Sequence, residues 1–273
     1  NGSTSGVTNG IMVTGGTNVG VFKNKIYDLT TSGAFTTTPG VNGIVLSGSS
    51  TSVTANVFNN LIGDLKAPAA NSTDAIRGIS VTATGTSSNY NISYNTVSLS
   101  ASSTGANFGT SGLFHAASTT ATTATLNLRN NITANNSTPA GTGLSVAYRR
   151  STVDLANYGS VSNSNDYWAG TPSASRLIFS DGTNADQTFA DYKTRVAARD
   201  FNSISENPTF VSTAGSNANF LHINTSTATQ LESGGVTVAG ITDDYDAETR
   251  NTSTPDIGAD EGTFVLLDLF PPI

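Results

Sequence analysis

The stretch "NVFNNLIGDL", Asn56 to Leu65, puts Asn60 where an alternating strand calls for an apolar side chain. Phe58, Asn60 and Ile62 share one parity, and equal parity in a strand means one face. A buried amide is costly unless its donors and acceptors are paired. Repetition supplies the partners. "FKNKI", "FNNLI", "SYNTV", "LRNNI" and "NSNDY" each carry Asn third, at Asn24, Asn60, Asn95, Asn130 and Asn165, with spacings of 36, 35, 35 and 35. A second marker, Gly followed by Ile or Leu, runs in step at Gly10, Gly43, Gly78, Gly112 and Gly143, with spacings of 33, 35, 34 and 31.

Two markers in phase define a repeat of about 35 residues, and its content is β: short alternating runs bounded by Gly, Asn, Ser and Thr. A unit this small cannot bury its own apolar face, so the units must stack as a parallel solenoid of about five coils. Each coil reads as a strand starting at the Gly, a second rising to the Asn, and a third such as "KIYDL" or "TVSLS". Stacking brings equivalent residues to about 4.8 Å, so each Asn can donate to the next coil and accept from the previous one. Valines precede Asn24 and Asn60 by three residues, whereas Leu126 and Leu128 precede Asn130 by four and two, so a bend is expected before the ladder in the earlier coils. The repeat coils span 1–175, and 176–273 reads as closing coils with an irregular, acidic cap continuous with the same solenoid. "TFADYKTRVA" from Thr188 fits a short helix with Phe189, Tyr192 and Val196 on one face.

The 273 residues include no cysteine, which excludes a disulfide framework, a thiolate metal site and a cysteine nucleophile. Net charge is −7, but residues 1–150 sum to +4 and residues 151–273 to −11. An acidic chain of this kind is not expected to bind nucleic acid. No run approaches the roughly 18 apolar residues of a membrane helix, so no membrane insertion is expected. The opening "NGSTSG" reads as a mature or excised fragment, with further coils or other domains of a larger parent as neighbours.

The Gly-led strands and turn asparagines resemble right-handed parallel β-helix proteins of the pectate-lyase-like superfamily. "NSNDYW" at 163, "DFNSISENPTF" at 200, "NFLHI" at 219 and "DDYDAETRNTSTPDIGADE" at 243 resemble the closing segment of large β-helix proteins secreted by Bacteroidota, often through the type IX system. The resemblance implies export and display at the cell surface. It implies no single activity, since this fold carries lyases, hydrolases, adhesins and inert stalks.

Acid–base cleavage of a glycosidic bond needs two positioned carboxyl groups. The Gly-led strands offer Met12 and Thr14, Val45 and Ser47, Ser80 and Thr82, Phe114 and Ala116, and Ser145 and Ala147 as outward positions, and no carboxylate is among them. No catalytic residue is assigned. The expected function is a non-catalytic surface module, a stalk, adhesin or scaffold for polysaccharide or cell-surface glycan; the alternative is a polysaccharide lyase or hydrolase acting from the stacked loops. Tyr148, Arg149, Arg150, Tyr167 and Trp168 are the candidate ligand-binding residues, because aromatic rings and guanidinium groups stack on sugars or pair with their carboxylates. Asp243, Asp244, Asp246 and Glu248 are the candidate metal ligands, with calcium the cation such hard oxygens suit. His115 has the inward parity of Val13, Leu46 and Val81 and reads as core.

Overall fold

The computed structural model describes residues 6–36 and 39–267; residues 1–5, 37–38 and 268–273 lie outside them. The chain is an all-β parallel solenoid of about seven turns, more than the five markers indicate. Three sheets run along the solenoid, built from six, four and five parallel strands, each contributed by a different coil. The first stacks Thr8–Val13, Val41–Leu46, Ser72–Val81, Phe108–His115, Ser145–Arg150 and Arg176–Ser180, all parallel. The second stacks Asn18–Phe22, Thr54–Phe58, Asn89–Ser93 and Thr125–Arg129. The third stacks Lys25–Ile26, Leu61–Gly63, Thr96–Leu99, Ile132–Asn135 and Asp166–Trp168.

Between the second and third sheets the backbone turns through one left-handed residue per coil: Lys23, Asn59, Tyr94, Asn130 and Ser164, all with φ between 54° and 58°. The expected bend is therefore present in every coil. The residue after it points inward and forms the ladder. Nδ2 of Asn24 donates to Oδ1 of Asn60 at 2.9 Å, Asn60 to Asn95 at 2.8 Å, Asn95 to Asn131 at 3.0 Å, and Asn131 to Asn165 at 2.9 Å. The same Oδ1 atoms accept the backbone N–H of the preceding rung, and Nδ2 of Asn60, Asn95, Asn131 and Asn165 also donates to a carbonyl of the preceding coil. The fourth rung is thus Asn131 and not Asn130. With two adjacent asparagines in "LRNNI", constant spacing favoured the first, but the left-handed turn residue is Asn130 and the inward one follows it.

The glycine marker has a packing cause. Gly10, Gly43, Gly78 and Gly112 stack on one another where the first sheet meets the third. A Cβ at Gly10 would lie 2.7 Å from Ile26 Cγ2 and one at Gly43 2.5 Å from Ile62 Cγ2; Val97 and Thr133 block Gly78 and Gly112. β-Branched side chains of the third sheet fill the space a side chain would need. In the fifth coil the position opposite Gly112 is Ala147, between the pairs Ser111 with Val146 and Leu113 with Tyr148. Gly143 lies four residues too early and is not a member of the column.

At the C-terminal end, the helix Phe189–Val196 forms as the sequence predicts, with Thr188 accepting from the Asp191 amide at its N-terminus and Tyr192 and Val196 buried. Tyr192 joins Tyr148, Tyr158, Tyr167 and Phe179 in an aromatic cluster over the last coils. The ladder ends there on Asp200, which accepts from Asn165 at 3.0 Å, Ser203 at 2.6 Å, Tyr192 at 2.6 Å, and Tyr158.

Just beyond the helix, residues 200–204 stack on the third sheet as part of one more coil, with Ile204 bridging Asp166 in parallel and bonding the backbones of Asn165 and Tyr167. Residues from 205 on leave the stack. They run back alongside the solenoid, reaching the first coil at Asn217 against Lys25, the fourth at Val236 against Asn130, and the first again at Asp243 against Lys23. This returning segment covers the outer face of the third sheet with two apolar clusters. Ile223, Leu231, Ile257 and Phe264 pack on Ile132 and Ala134, and Phe220, Leu221 and Ala259 pack on Leu61. The outward turn residues hold it: Asn59 donates to the Asp243 carbonyl, Tyr94 to the Val236 carbonyl, and Asn130 both donates to and accepts from Val236.

Candidate functional site

The outer face of the second sheet stays open beside the returning segment. Two of its columns face outward: Gly20, Asn56, Asn91 and Asn127, and Phe22, Phe58, Ser93 and Arg129. Their inward neighbours Val21, Val57, Ile92 and Leu128 are core, so alternation alone puts the polar and aromatic set outside. Asn127 donates to Asn91 at 2.9 Å and Asn91 to Asn56 at 3.0 Å, a second asparagine row on the surface. An amide has two N–H groups and two lone pairs, so each surface Asn keeps capacity for a ligand after bonding its neighbours. Phe22 and Phe58 stack face to face at 4.9 Å between centroids.

Val238, Ala239, Gly240 and Ile241 of the returning segment wall this face, closing a groove of about 270 Å³ with Asn56, Phe58, Asn91, Ser93 and Arg129. Arg129 Nε is buried without a hydrogen-bond partner. The groove offers amides in register, an aromatic face and a free cationic group, and its lining contains no carboxylate. Such a surface can hydrogen-bond hydroxyls, stack on a sugar ring and pair with an anion; it has no group to serve as a general acid.

A second cluster sits on the outer face of the first sheet. Asp74 accepts from Arg77 Nε on Oδ2 at 2.8 Å and from Ser111 on Oδ1 at 2.5 Å, and Arg149 Nε lies 3.6 Å from that same Oδ1 while donating to Ser111 at 2.7 Å. The Arg77 guanidinium lies over the Phe114 ring at 3.4 Å, and burial pulls its pKa down against the opposing pull of Asp74. A groove of about 410 Å³ lined by Met12, Asn42, Val45, Arg77 and Ser80 adjoins it. Here the carboxylate is already occupied by its partners.

The five residues singled out from the sequence for ligand binding part company. Tyr148, Arg150 and Tyr167 are interior. Arg150 bonds His115 Nδ1 at 2.6 Å, Tyr148 Oη at 2.9 Å and Asn157 Oδ1 at 2.6 Å, so it is a core cation and does not reach a surface ligand. His115 is fully buried, as its parity requires, and burial together with Arg150 holds its pKa well below the ordinary value. Trp168 packs against the apolar cluster at Ile132 and donates to Asn136. Of the five, Arg149 and the half-buried Trp168 stand on outer faces, Arg149 in the Asp74 cluster.

The four acidic candidates also separate. Asp243 pairs with Lys23 at 2.7 Å, and the fully buried Asp244 accepts the amides of Asp246, Glu248 and Glu261. Glu248 lies apart, in an acidic groove with Glu232, Asp256 and Glu261. Only Asp246 enters a group of metal-ligand type among the described residues, and its companions are His222 and Asp260. Burial raises the pKa of Asp246, and that of Asp260 to about 6.

Sequence reasoning passed over Asn56, Asn91, Asn127 and Arg129, although each of these asparagines stands four residues before a ladder rung. That spacing was the available signal. The groove wall was not legible, because it comes from residues more than 100 positions away. Comparison of the chain with family models, curated proteins and solved structures gave no match.

Proposed function

We propose that this chain is a non-catalytic, extracellular β-helix module of a bacterial surface protein, of the pectate-lyase-like superfamily type and secreted by a Bacteroidota cell through the type IX route, that binds polysaccharide or cell-surface glycan. The observation that carries the binding role is the groove on the second sheet: the row Asn56, Asn91 and Asn127, flanked by Phe58 and the half-buried Arg129, with no carboxylate in the lining. Coil spacing repeats the amides at about 4.8 Å along the groove, which suits an extended polymer better than a compact ligand. The cationic group favours a glycan that carries carboxylates.

A panel of neutral and carboxylated polysaccharides, read for both binding and cleavage, tests this. Binding without cleavage is expected, weakened at least tenfold by Phe58→Ala and by Arg129→Ala and unchanged by Arg149→Ala. Absence of binding across the panel, or equal affinity in all three variants, removes the assignment. A second reading, cleavage of an acidic polysaccharide, rests on Asp74 between Arg77 and Arg149. Turnover abolished by Asp74→Asn would establish it in place of the first.

A further inference from the structure

His222, Asp246 and Asp260 come from three separate passes of the returning segment, and one ligand atom from each lies within 4.8 Å of those of the other two. His222 Nε2 is 3.2 Å from Asp246 Oδ2, and Nδ1 is 3.4 Å from Asp260 Oδ1. Nε2 is buried, yet at that approach it makes no hydrogen bond of acceptable geometry. The surroundings hold the set in place. Asp260 Oδ2 accepts the Ile223 amide at 2.7 Å, tying it to the residue after His222. Asp244 takes the Asp246 amide on Oδ1 and the Glu261 amide on Oδ2, which fixes the two acidic passes side by side. Phe220 and Leu221 anchor the third pass on Leu61 of the second coil. Asp246 is half-exposed, which leaves a way in from solvent.

We infer that His222, Asp246 and Asp260 form a three-ligand site for a divalent transition-metal ion of the zinc type, which staples the three passes of the returning segment. One imidazole nitrogen and two carboxylate oxygens, with a fourth position left for water, are a ligand set zinc takes. Ligand atoms of a tetrahedral zinc site stand roughly 3.4 Å apart, so separations of up to 4.8 Å must close by up to about 1.4 Å, and the His222 ring must turn one nitrogen towards both carboxylates. Calcium prefers oxygen ligands in larger number, and the imidazole disfavours it. The site lies apart from the glycan groove and does not depend on that reading. Asp243, held by Lys23, is no part of it.

The test is calorimetric titration of the full chain, freed of metal by chelation, with ZnCl2 and separately with CaCl2, alongside thermal unfolding. One zinc per chain with micromolar or tighter affinity is expected, together with a rise of several degrees in Tm and no comparable calcium effect. His222→Gln and Asp246→Asn should each lose at least tenfold in zinc affinity and most of the Tm rise, while Asp243→Asn keeps both. Circular dichroism of the metal-free variants shows that they fold, and the half-exposed Asp246 is the position least able to disturb packing. Zinc binding equal in His222→Gln, Asp246→Asn and the parent overturns the site, as does absence of zinc binding at millimolar concentration or a calcium affinity equal to that for zinc.

Discussion

Asn95 donates from Nδ2 to Oδ1 of Asn131 at 3.0 Å across 36 residues, while Asn130, one position earlier, turns outward to Val236. Adjacent asparagines thus serve the core and the returning segment respectively. Removing an interior rung strands amide groups on both neighbours, and each orphaned buried group costs about 1–3 kcal/mol. Asn95→Leu and Asn131→Leu should each lose about 3 kcal/mol in denaturant unfolding. Asn24→Leu, at the half-buried end of the row, should lose about 1 kcal/mol. Equal midpoints for Asn95→Leu and Asn24→Leu would remove the ladder from this account.

The glycine column makes a sharper steric prediction. A Cβ at Gly78 meets Val97 and stands 2.5 Å from the Gly112 carbonyl oxygen. Gly78→Ala should cost on the order of 2 kcal/mol, as overpacking of a closed core does. Adding Val97→Ala should recover part of it, since the side-chain clash is relieved and the carbonyl contact is not. Thermal unfolding of the double variant, compared with each single one, reads the coupling.

Arg150 and Arg149 are neighbours in sequence with opposite surroundings. Arg150→Leu removes the buried bonds to His115 Nδ1, Tyr148 Oη and Asn157 Oδ1 and should lose on the order of 3 kcal/mol of stability. The same substitution should leave glycan affinity unchanged in the fraction that folds. Arg149→Ala is expected to leave the unfolding midpoint close to the parent's. A loss of affinity in folded Arg150→Leu would return this residue to the binding surface.

Burial raises Asp256 to about 7, although it accepts the amides of Ser233 and Gly262. An unfolded Asp titrates near 3.9, so the folded state holds the proton more tightly. Its stabilising effect is complete below about pH 4 and is lost as pH rises towards 7. The stability difference between the parent and Asp256→Asn should therefore move against the parent as pH rises from 4 to 7, and stay level above about 8. His115 acts in the opposite sense, because its lowered pKa disfavours the folded state as pH falls below about 6.5. Chemical unfolding of both proteins at stepped pH separates the two effects, as His115 is common to them. A difference that does not change with pH would place the Asp256 carboxyl in an ordinary solvated setting.

The sequence by itself determined the repeat, the three strands per coil, the inward asparagine row and the helix at Phe189–Val196. All of these are periodic or local: a fixed spacing places equivalent residues on one column, and alternation assigns the faces. Two of its errors share a cause. Spacing cannot distinguish Asn130 from Asn131, or Gly143 from Ala147, because insertion of one to four residues is absorbed by a turn whose left-handed residue has no fixed identity: Lys23, Asn59, Tyr94, Asn130 and Ser164 all occupy it. Only the tertiary structure decided where residues 205–267 go. They have no repeat, and their partners are side chains and carbonyls lying 100 to 200 residues earlier, such as Lys23 for Asp243 and Asn59 for Arg250. That return path walls the groove beside Asn91 and Arg129 and gathers His222, Asp246 and Asp260 from three passes. Non-local packing of an aperiodic segment leaves no local signature, which is why both sites emerged with the fold and not before it.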